Sequence, residues 1–466
     1  MLQDPDFNLN FTDMYTEIKQ STTEYNDIGD WWEIRAKPMI VTFLKQYSLV
    51  LASERKQTLE ALYILLEDAL SRGVDGYSEA VLLKHRITEQ LLIAGEGVKV
   101  QSRFKENLEK ERASLYHLAR EKKMAGANNL DKLIIGGVEV ADKRTCEAEV
   151  LNYYEPLFNS REGRSETFTM EEDILPDFLN DDIGQLSDVE RDNLDLPITE
   201  EELLFCVRNL PNNRTPGLDR LTNEFYRKVF PIIKVEYLAV QNCLTENSEI
   251  KPSMRQGVTR LTPKVSGVPR VDQLRRITML NTDYNIRSRI LTRRVLENSE
   301  SFIKSGQLCS NKKRNILSGV HNLLSTVEYI NQKNLSAALL SFDMRKAFDR
   351  CFIPYVCKVL EKMNFSPKFI SLLLALKKIC TGVKVTDFSQ VDEDYADDIE
   401  LVVEKEEEFV LVDQLFSRFE RCSGAVLSRS EKSKVLGLGG WRGRTTWPLP
   451  WLWTMEMSGI VASLMV

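Results

Sequence analysis

Apolar residues recur every three or four positions through the first 125 residues, which predicts an all-helical region. Two such stripes are Leu59, Leu62, Leu66 and Leu70, and Phe104, Leu108, Leu115 and Leu118. Residues 160–200 are instead polar and acidic with few aromatic side chains, so they predict a loose linker. We therefore expect helical packing over 1–125 and a linker over 126–200.

The pattern changes near Ile198. Pro211–Gly217 is rich in residues that break regular structure, and it predicts a loop. After it we expect a helix at Asn223–Val235, strands at Val258–Pro263 and Ile277–Leu280, and an arginine-bearing helix at Asn285–Leu296.

A short apolar run, Ala337–Phe342, ends at Asp343 and predicts a buried strand that delivers a carboxylate at its end. An amphipathic helix follows through Tyr355 and Met363, and Ser366-Pro367 has the chemistry of a helix start. Tyr395–Asp398 then leads into Ile399–Val403, which predicts a strand leaving a turn. Helices and antiparallel strands together indicate an α+β fold.

Charge is distributed unevenly along the 466 residues. The net charge is −7, yet Lys251–Glu297 holds eleven Lys or Arg against three acidic residues, which gives that block +8. A basic block inside an acidic chain is a candidate contact surface for nucleic-acid phosphates. The alternative is a solvated surface with no ligand.

Cysteine and histidine usage argues against a zinc knuckle. The eight cysteines are scattered without any CxxC, and the chain has three histidines. Scattered cysteines, no secretion signal, and a C-terminal apolar end too short for a bilayer indicate an intracellular protein, nuclear or cytoplasmic, without membrane contact.

The arrangement of carboxylates suggests a chemistry. A strand-end aspartate, Asp343, together with Asp397-Asp398 in a later strand turn, suits two Mg²⁺ ions at which a nucleotide is transferred. The ring of Phe348 could exclude a ribose 2′-hydroxyl. Each piece alone has another interpretation: a surface or capping aspartate, a core phenylalanine, and an acidic turn.

The ordered motifs resemble those of LINE-type reverse transcriptases, the polymerases of non-LTR retrotransposons. Ser341–Arg350 resembles their motif A, and Tyr395–Asp398 matches their motif C. The other matching stretches are Asn213–Asp219 with Glu224–Tyr226, Leu274–Tyr284, Ser428–Gly440, the tail Trp441–Trp451 and the early segment Phe104–Phe158.

The resemblance implies an RNA-directed DNA polymerase with a right-hand fold. Expected domains are a helical pre-polymerase region at 1–125, a linker at 126–200, fingers at 201–335, a partial palm with an antiparallel sheet at 336–440, and a tail at 441–466. Partners would be an RNA template, a DNA primer and dNTPs, with Mg²⁺ as cofactor.

Site residues follow from the matching motif positions. The implied metal-binding and catalytic residues are Asp343, Asp397 and Asp398. Phe348 would be the sugar gate, and Arg275 would bind the incoming triphosphate. Lys264 would assist on the phosphates or template, and Lys432 would lie near the pyrophosphate, with Lys434 as the rival. Pro216 and Gly217 would shape the fingers loop.

One family motif is missing. Motif B, an Arg-Gln-Gly-acid-Pro type segment, does not occur between Asp343 and Asp397, since Arg255–Gly257 precedes motif A. The approach to motif C, Val391–Asp394, is acidic where a buried strand should be apolar. Arg276 also stands where the family usually has proline.

These departures predict a degenerate or truncated copy with weak or no activity. Two alternatives stay open: a non-catalytic nucleic-acid-binding remnant, and a helical scaffold for protein interaction.

Overall fold

The protein is described by a computed structural model over residues 1–102, 132–161, 170–179, 183–265, 267–303, 307, 316–377, 399–429, 433–444 and 446–448. Its residues cluster into two compact units, each built from three stretches of chain. The first unit is Met1–Ile134, Pro197–Ile290 and Ala375–Gln390, and the second is Ile135–Leu196, Leu291–Leu374 and Val391–Val466.

Helices predominate in the described chain, and the strands come singly or in pairs between groups of helices. From the start to residue 255 they are α1 (Phe7–Lys19), α2 (Ile28–Trp31), a π-helix (Trp32–Ala36), α3 (Lys37–Ser71), α4 (Tyr77–Ser102), β1 (Leu133–Ile135), β2 (Val138–Val140), α5 (Lys143–Arg161), α6 (Leu175–Phe178), α7 (Asp188–Leu194), α8 (Glu200–Arg208), α9 (Asn223–Glu246) and α10 (Pro252–Arg255). Those that follow are β3 (Gly257–Pro263), β4 (Leu274–Leu280), α11 (Thr282–Glu297), α12 (Ile316–Lys333), β5 (Ser336–Phe342), α13 (Ala347–Arg350), α14 (Ile353–Lys362), α15 (Pro367–Lys377), β6 (Ile399–Val403), α16 (Glu406–Ser423) and β7 (Lys434–Gly439).

The first unit has an aromatic core shared by its N-terminal helices and α9. Phe7, Phe11 and Tyr15 repeat at four-residue spacing on α1, and the Phe11 ring lies 5.8 Å from that of Phe225 on α9. Trp32 contacts Tyr237 with ring centroids 5.0 Å apart. The helical region predicted at the N terminus is confirmed for its described part, and it belongs to the same core as α9.

The α3–α4 hairpin confirms two of the four leucines of the first stripe. Leu62 and Leu66 pack against Ala69, Ala80 and Leu83 in a small core between the two helices. Leu70 instead lies 53% exposed near the end of α3. The second stripe, Phe104–Leu118, lies outside the described residues.

The strands predicted before and after Lys264 form one antiparallel hairpin. β3 pairs with β4 from Gly257↔Leu280 to Pro263↔Leu274, so β4 starts earlier than its apolar end suggested. Its first half contains Arg275 and Arg276, whose polarity hid the strand from the apolar pattern.

A three-stranded antiparallel sheet forms the core of the second unit, in the order β6-β5-β7. On one face of β5, Ala338, Leu340 and Phe342 pack with Phe409 and Phe416 of α16. Ala337 and Leu339 on the other face pack with Val327 and Ile330 of α12. Burial on both faces explains why this strand is a continuous apolar run.

Several residues predicted as linker or tail contribute to folded elements. The stretch 126–200 includes the β1–β2 hairpin, α5 and α7, and α7 begins with a capping box between Ser187 and Glu190. In the predicted tail, Trp441 and Trp447 pack on the core beneath β5. Residues 291–335, assigned above to the fingers, cluster with the second unit.

The start of α15 confirms the Ser-Pro prediction. The Phe369 N–H donates to the Ser366 hydroxyl at 3.0 Å, and Pro367 takes the first helical position.

Among the helices that the structure describes, none combines the length and apolarity needed to cross a bilayer.

Candidate functional site

Asp343 lies immediately after β5, half-buried, on a backbone that is fixed from one side. Its carbonyl accepts the Ser428 N–H at 2.8 Å, Met344 forms an antiparallel bridge with Leu427, and the Arg345 N–H donates to the Val426 carbonyl at 2.7 Å. The stretch 426–428 therefore continues the sheet alongside Asp343.

That supporting stretch is held by charged side chains of α16. The Glu420 carboxylate accepts the Leu427 N–H and an Arg429 guanidinium N–H, each at 2.6 Å. Arg429 also pairs with Asp413 at 3.0 Å. Burial lowers the pKa of Arg429, but the hydrogen bonds with Glu420 and Asp413 outweigh burial. The net effect raises the pKa above its usual value, so the guanidinium stays charged. Sequence reasoning missed these residues because Glu420 lies outside the matching stretches, and Arg429, although inside Ser428–Gly440, carries no role that the resemblance implies.

The rest of the predicted carboxylate site lies outside the described residues. Asp397 and Asp398 immediately precede β6, whose first residue, Ile399, pairs with Phe342 next to Asp343. Lys432 is also outside, whereas its rival Lys434 is half-buried on β7 and pairs with Ser341. Within the described ranges, no three metal-ligating side chains converge.

Phe348 lies in the short helix α13, five residues after Asp343. The structure places its backbone there and does not describe its ring.

The basic block is partly internal, so only part of it is available either as a candidate contact surface for phosphates or as solvated surface. Four of its eleven cations are buried: Lys251, Arg260, Arg287 and Arg294. The Lys251 ammonium lies 2.7 Å from Asp30, and Arg294 donates to the carbonyls of Leu194 and Leu196. Composition counts these charges as surface, whereas the fold uses them to satisfy buried acceptors.

Arg287 is the most deeply buried of these cations. Its guanidinium is fully inaccessible and donates to the Gln241 carbonyl at 3.0 Å. Burial lowers the pKa of Arg287 to about 10. It therefore cannot contact a phosphate.

Two predicted phosphate-binding residues lie together on the β3–β4 hairpin. Arg275 pairs with Thr262, and Lys264, two residues beyond Thr262, donates its backbone N–H to the Gln273 carbonyl at 2.9 Å. Lys264 follows the last residue of β3, so Lys264 and Arg275 lie near the same end of the hairpin. Both are exposed.

The predicted fingers loop is pinned by close packing at Gly217. A Cβ on this residue would lie 2.5 Å from the backbone nitrogen of Asn281 and 2.7 Å from the carbonyl carbon of Leu280. Asn281 also accepts the Asp219 N–H at 3.3 Å and donates to the Ser253 carbonyl at 2.8 Å. Gly217 therefore shapes this loop, as expected.

A buried charge cluster fixes the same loop from the N-terminal region. The Lys37 ammonium lies 2.7 Å from Asp283 and 2.9 Å from Asp219, and all three side chains are at most 7% exposed. Burial lowers the pKa of Lys37, but the two carboxylates outweigh burial and raise it. Burial raises the pKa of Asp219, although Lys37 opposes that rise.

No protein-family model matches the chain. It is similar to the transposon TX1 uncharacterized 149 kDa protein of Xenopus laevis, with 25% identity over 382 residues. That alignment covers 80% of this chain and 28% of the Xenopus protein, so the chain spans just over a quarter of the relative's length. The likeness supports a non-LTR retrotransposon origin.

A retrotransposon origin agrees with the resemblance of the ordered motifs to those of non-LTR retrotransposons. The aligned part is only 28% of the TX1 protein, so a function for this chain is argued from the chain's own residues. Those that the fold places are Asp343 beside β6 and the exposed pair Lys264 and Arg275 on the hairpin.

Proposed function

We propose that this chain is a degenerate reverse transcriptase of a non-LTR retrotransposon. Unit two would be a partial palm and the β3–β4 hairpin a part of the fingers. It would bind Mg²⁺ and dNTPs and copy RNA weakly or not at all.

One observation carries the proposal: β5, which ends at Phe342 just before Asp343, pairs with β6, the strand that starts directly after Asp397-Asp398. The pair Phe342↔Ile399 joins the residues that adjoin these aspartates in sequence. Asp343 follows Phe342 and Asp398 precedes Ile399, so one peptide bond separates each aspartate from that pair. Consecutive Cα atoms are about 3.8 Å apart.

The residue types suit magnesium. Asp343, Asp397 and Asp398 would hold it through hard carboxylate oxygens, and Asp343 is half-buried at the end of a strand rather than enclosed in the core. When bound, Mg²⁺ would stabilise charge on the transferred phosphate. Arg275 and Lys264 would contact the triphosphate or the template, Lys432 the pyrophosphate, and Phe348 the sugar.

Weak activity follows from the missing motif B. The sequence between Asp343 and Asp397 has no Arg-Gln-Gly-acid-Pro type segment. Without it, the templating base would lack its supporting helix, so nucleotide binding should survive better than copying.

The test separates binding from copying. We expect Mg²⁺-dependent dCTP binding by calorimetry, and little or no extension of an oligo(dT) primer on poly(rA). Asp343→Asn should weaken dCTP binding at least about tenfold, because a metal ligand loses its charge. The control Glu361→Gln changes an exposed carboxylate on α14 and should bind as wild type.

Robust extension by the wild-type chain would refute the claim of weak activity. A dCTP affinity that is unchanged by Mg²⁺ and by Asp343→Asn would refute the proposed site.

A second candidate, a non-catalytic nucleic-acid-binding remnant, is favoured by the exposed pair on the β3–β4 hairpin. We expect Lys264→Ala and Arg275→Ala each to weaken RNA binding and to lower the slope of log affinity against log salt by about 1. Arg55→Ala, on the exposed side of α3, is the matched control.

The two candidates separate at Asp343. Tight, salt-dependent RNA binding that is unaffected by Mg²⁺ and by Asp343→Asn, without dCTP binding, would favour the remnant. Unchanged salt slopes in both hairpin variants would exclude this surface.

A further inference from the structure

Lys346 has an unusual backbone three residues after Asp343. Its φ is +49°, in the left-handed region, which lysine seldom adopts. Such a conformation persists only where surrounding contacts hold it.

Two tyrosines of α5 supply contacts that hold it. The Lys346 ammonium lies 4.4 Å from the ring centroid of Tyr153 and 4.8 Å from that of Tyr154. It also donates to the Tyr154 hydroxyl at 3.4 Å. Tyr154 is 2% exposed and packs with Tyr153 and Phe158, so the cation rests on a fixed aromatic surface.

Lys346 stands where the chain turns from sheet to helix. The preceding residue, Arg345, donates its N–H to Val426 beside the sheet. The following turn starts at Lys346 itself, whose carbonyl accepts the N–H groups of Asp349 at 2.9 Å and Arg350 at 3.1 Å. Its placement therefore fixes α13 relative to the end of β5.

We propose that Lys346, held by Tyr153 and Tyr154, is a positioning residue for nucleotide binding. It sets the place of α13, which carries Phe348, relative to Asp343. Helix α5, which precedes the polymerase motifs in the sequence, thereby supports the nucleotide site. This inference rests on the proposed function, since it assumes that Asp343 and Phe348 meet a dNTP.

The experiment compares dCTP with CTP, which differ only in the 2′-hydroxyl, by calorimetric titration with Mg²⁺. Lys346→Met keeps the length of the side chain and removes the cation. We expect it to weaken dCTP binding about fivefold, the size of a partly buried cation–π contact, and to reduce the preference for dCTP over CTP.

Rescue and coupling distinguish positioning from general damage. Lys346→Arg should keep dCTP affinity within about twofold, because a guanidinium also binds aromatic faces. Tyr153→Leu should reproduce the Lys346→Met effect, and the double variant should lose little more than either single one. Lys358→Met, an exposed lysine on α14, is the control and should match wild type.

Failure of the inference and failure of the proposed function look different. If Asp343→Asn weakens dCTP binding while Lys346→Met and Tyr153→Leu bind as wild type, the inference is overturned and the function stands. Additive losses in the double variant would also overturn it. If wild type binds no dCTP with Mg²⁺, both fall.

Discussion

Replacing Lys37 with methionine is expected to destabilise the first unit by about 3–5 kcal/mol, the range for breaking a buried ion pair. The variant leaves Asp219 and Asp283, both at most 7% exposed, without their shared cation. Urea unfolding of the full chain, followed by tyrosine and tryptophan fluorescence, measures the loss. Lys45→Met, at an exposed position on the same helix, should change the free energy of unfolding by less than about 0.5 kcal/mol.

The pH dependence of that loss has a defined sign. The folded-state pKa of Lys37 is raised above 10.5, so its stabilisation is fully present below pH 10.5 and is lost as pH rises through the higher folded value. Burial raises the pKa of Asp219 although Lys37 lowers it, so removing Lys37 should raise this pKa further, and protonation on acidification should restore more stability to the variant than to wild type. The difference between wild type and Lys37→Met should therefore shrink from pH 7 to pH 4. A difference that is constant or grows on acidification would contradict the ion-pair account.

Gly217→Ala is expected to cost about 3 kcal/mol, at the upper end of the range for overpacking. Its Cβ would meet the backbone of Leu280 and Asn281, which cannot yield as a flexible side chain could. Asn281 would have to move, and its hydrogen bonds to Asp219 and Ser253 would weaken. Thermal unfolding, converted to free energy, gives the cost.

The matched control for this substitution is Gly73→Ala in the α3–α4 turn. Gly73 has a φ of +61° and open space around it, so alanine there costs only backbone strain, about 1 kcal/mol. Equal losses for the two variants would mean that close packing at Gly217 does not hold the loop at Pro211–Gly217.

The elements with a strong local signal could be predicted from sequence. β5 was found because a strand buried on both faces is a continuous apolar run. The start of α15 was found because Ser366 and Pro367 each satisfy a local requirement of a helix end. β6 was found from its partial alternation after an acidic turn.

Contacts between distant residues left no such signal. Lys37 meets Asp219 and Asp283 across more than 180 positions, and nothing local distinguishes it from the exposed lysines of α3. The charge of the block at Lys251–Glu297 overstates its exposed positive surface for a related reason. Composition counts charges without regard to burial, and four of its cations are buried. Helix α5 lies within the stretch predicted as linker, yet Tyr154 on it is buried and contacts Lys346.

Within the candidate site, the motifs predicted which residues matter better than what supports them. Asp343 directly follows a strand, as expected, and Arg275 and Lys264 lie near the same end of the β3–β4 hairpin. The roles of Glu420, Arg429 and Lys346 could not be identified in advance, since they depend on which distant groups the fold brings into contact with them.

Metal-directed backbone cleavage tests the central claim most directly. Fe²⁺ replaces Mg²⁺ on the full chain and, with ascorbate and peroxide, generates radicals that cut the chain near the bound ion; mass spectrometry maps the cuts. Our account predicts two clusters of cuts, one around Asp343 and one around Asp397-Asp398, both suppressed by excess Mg²⁺ and by Asp343→Asn. Cuts at only one of these places, or at both but unchanged in Asp343→Asn, would show that these aspartates do not share a metal site.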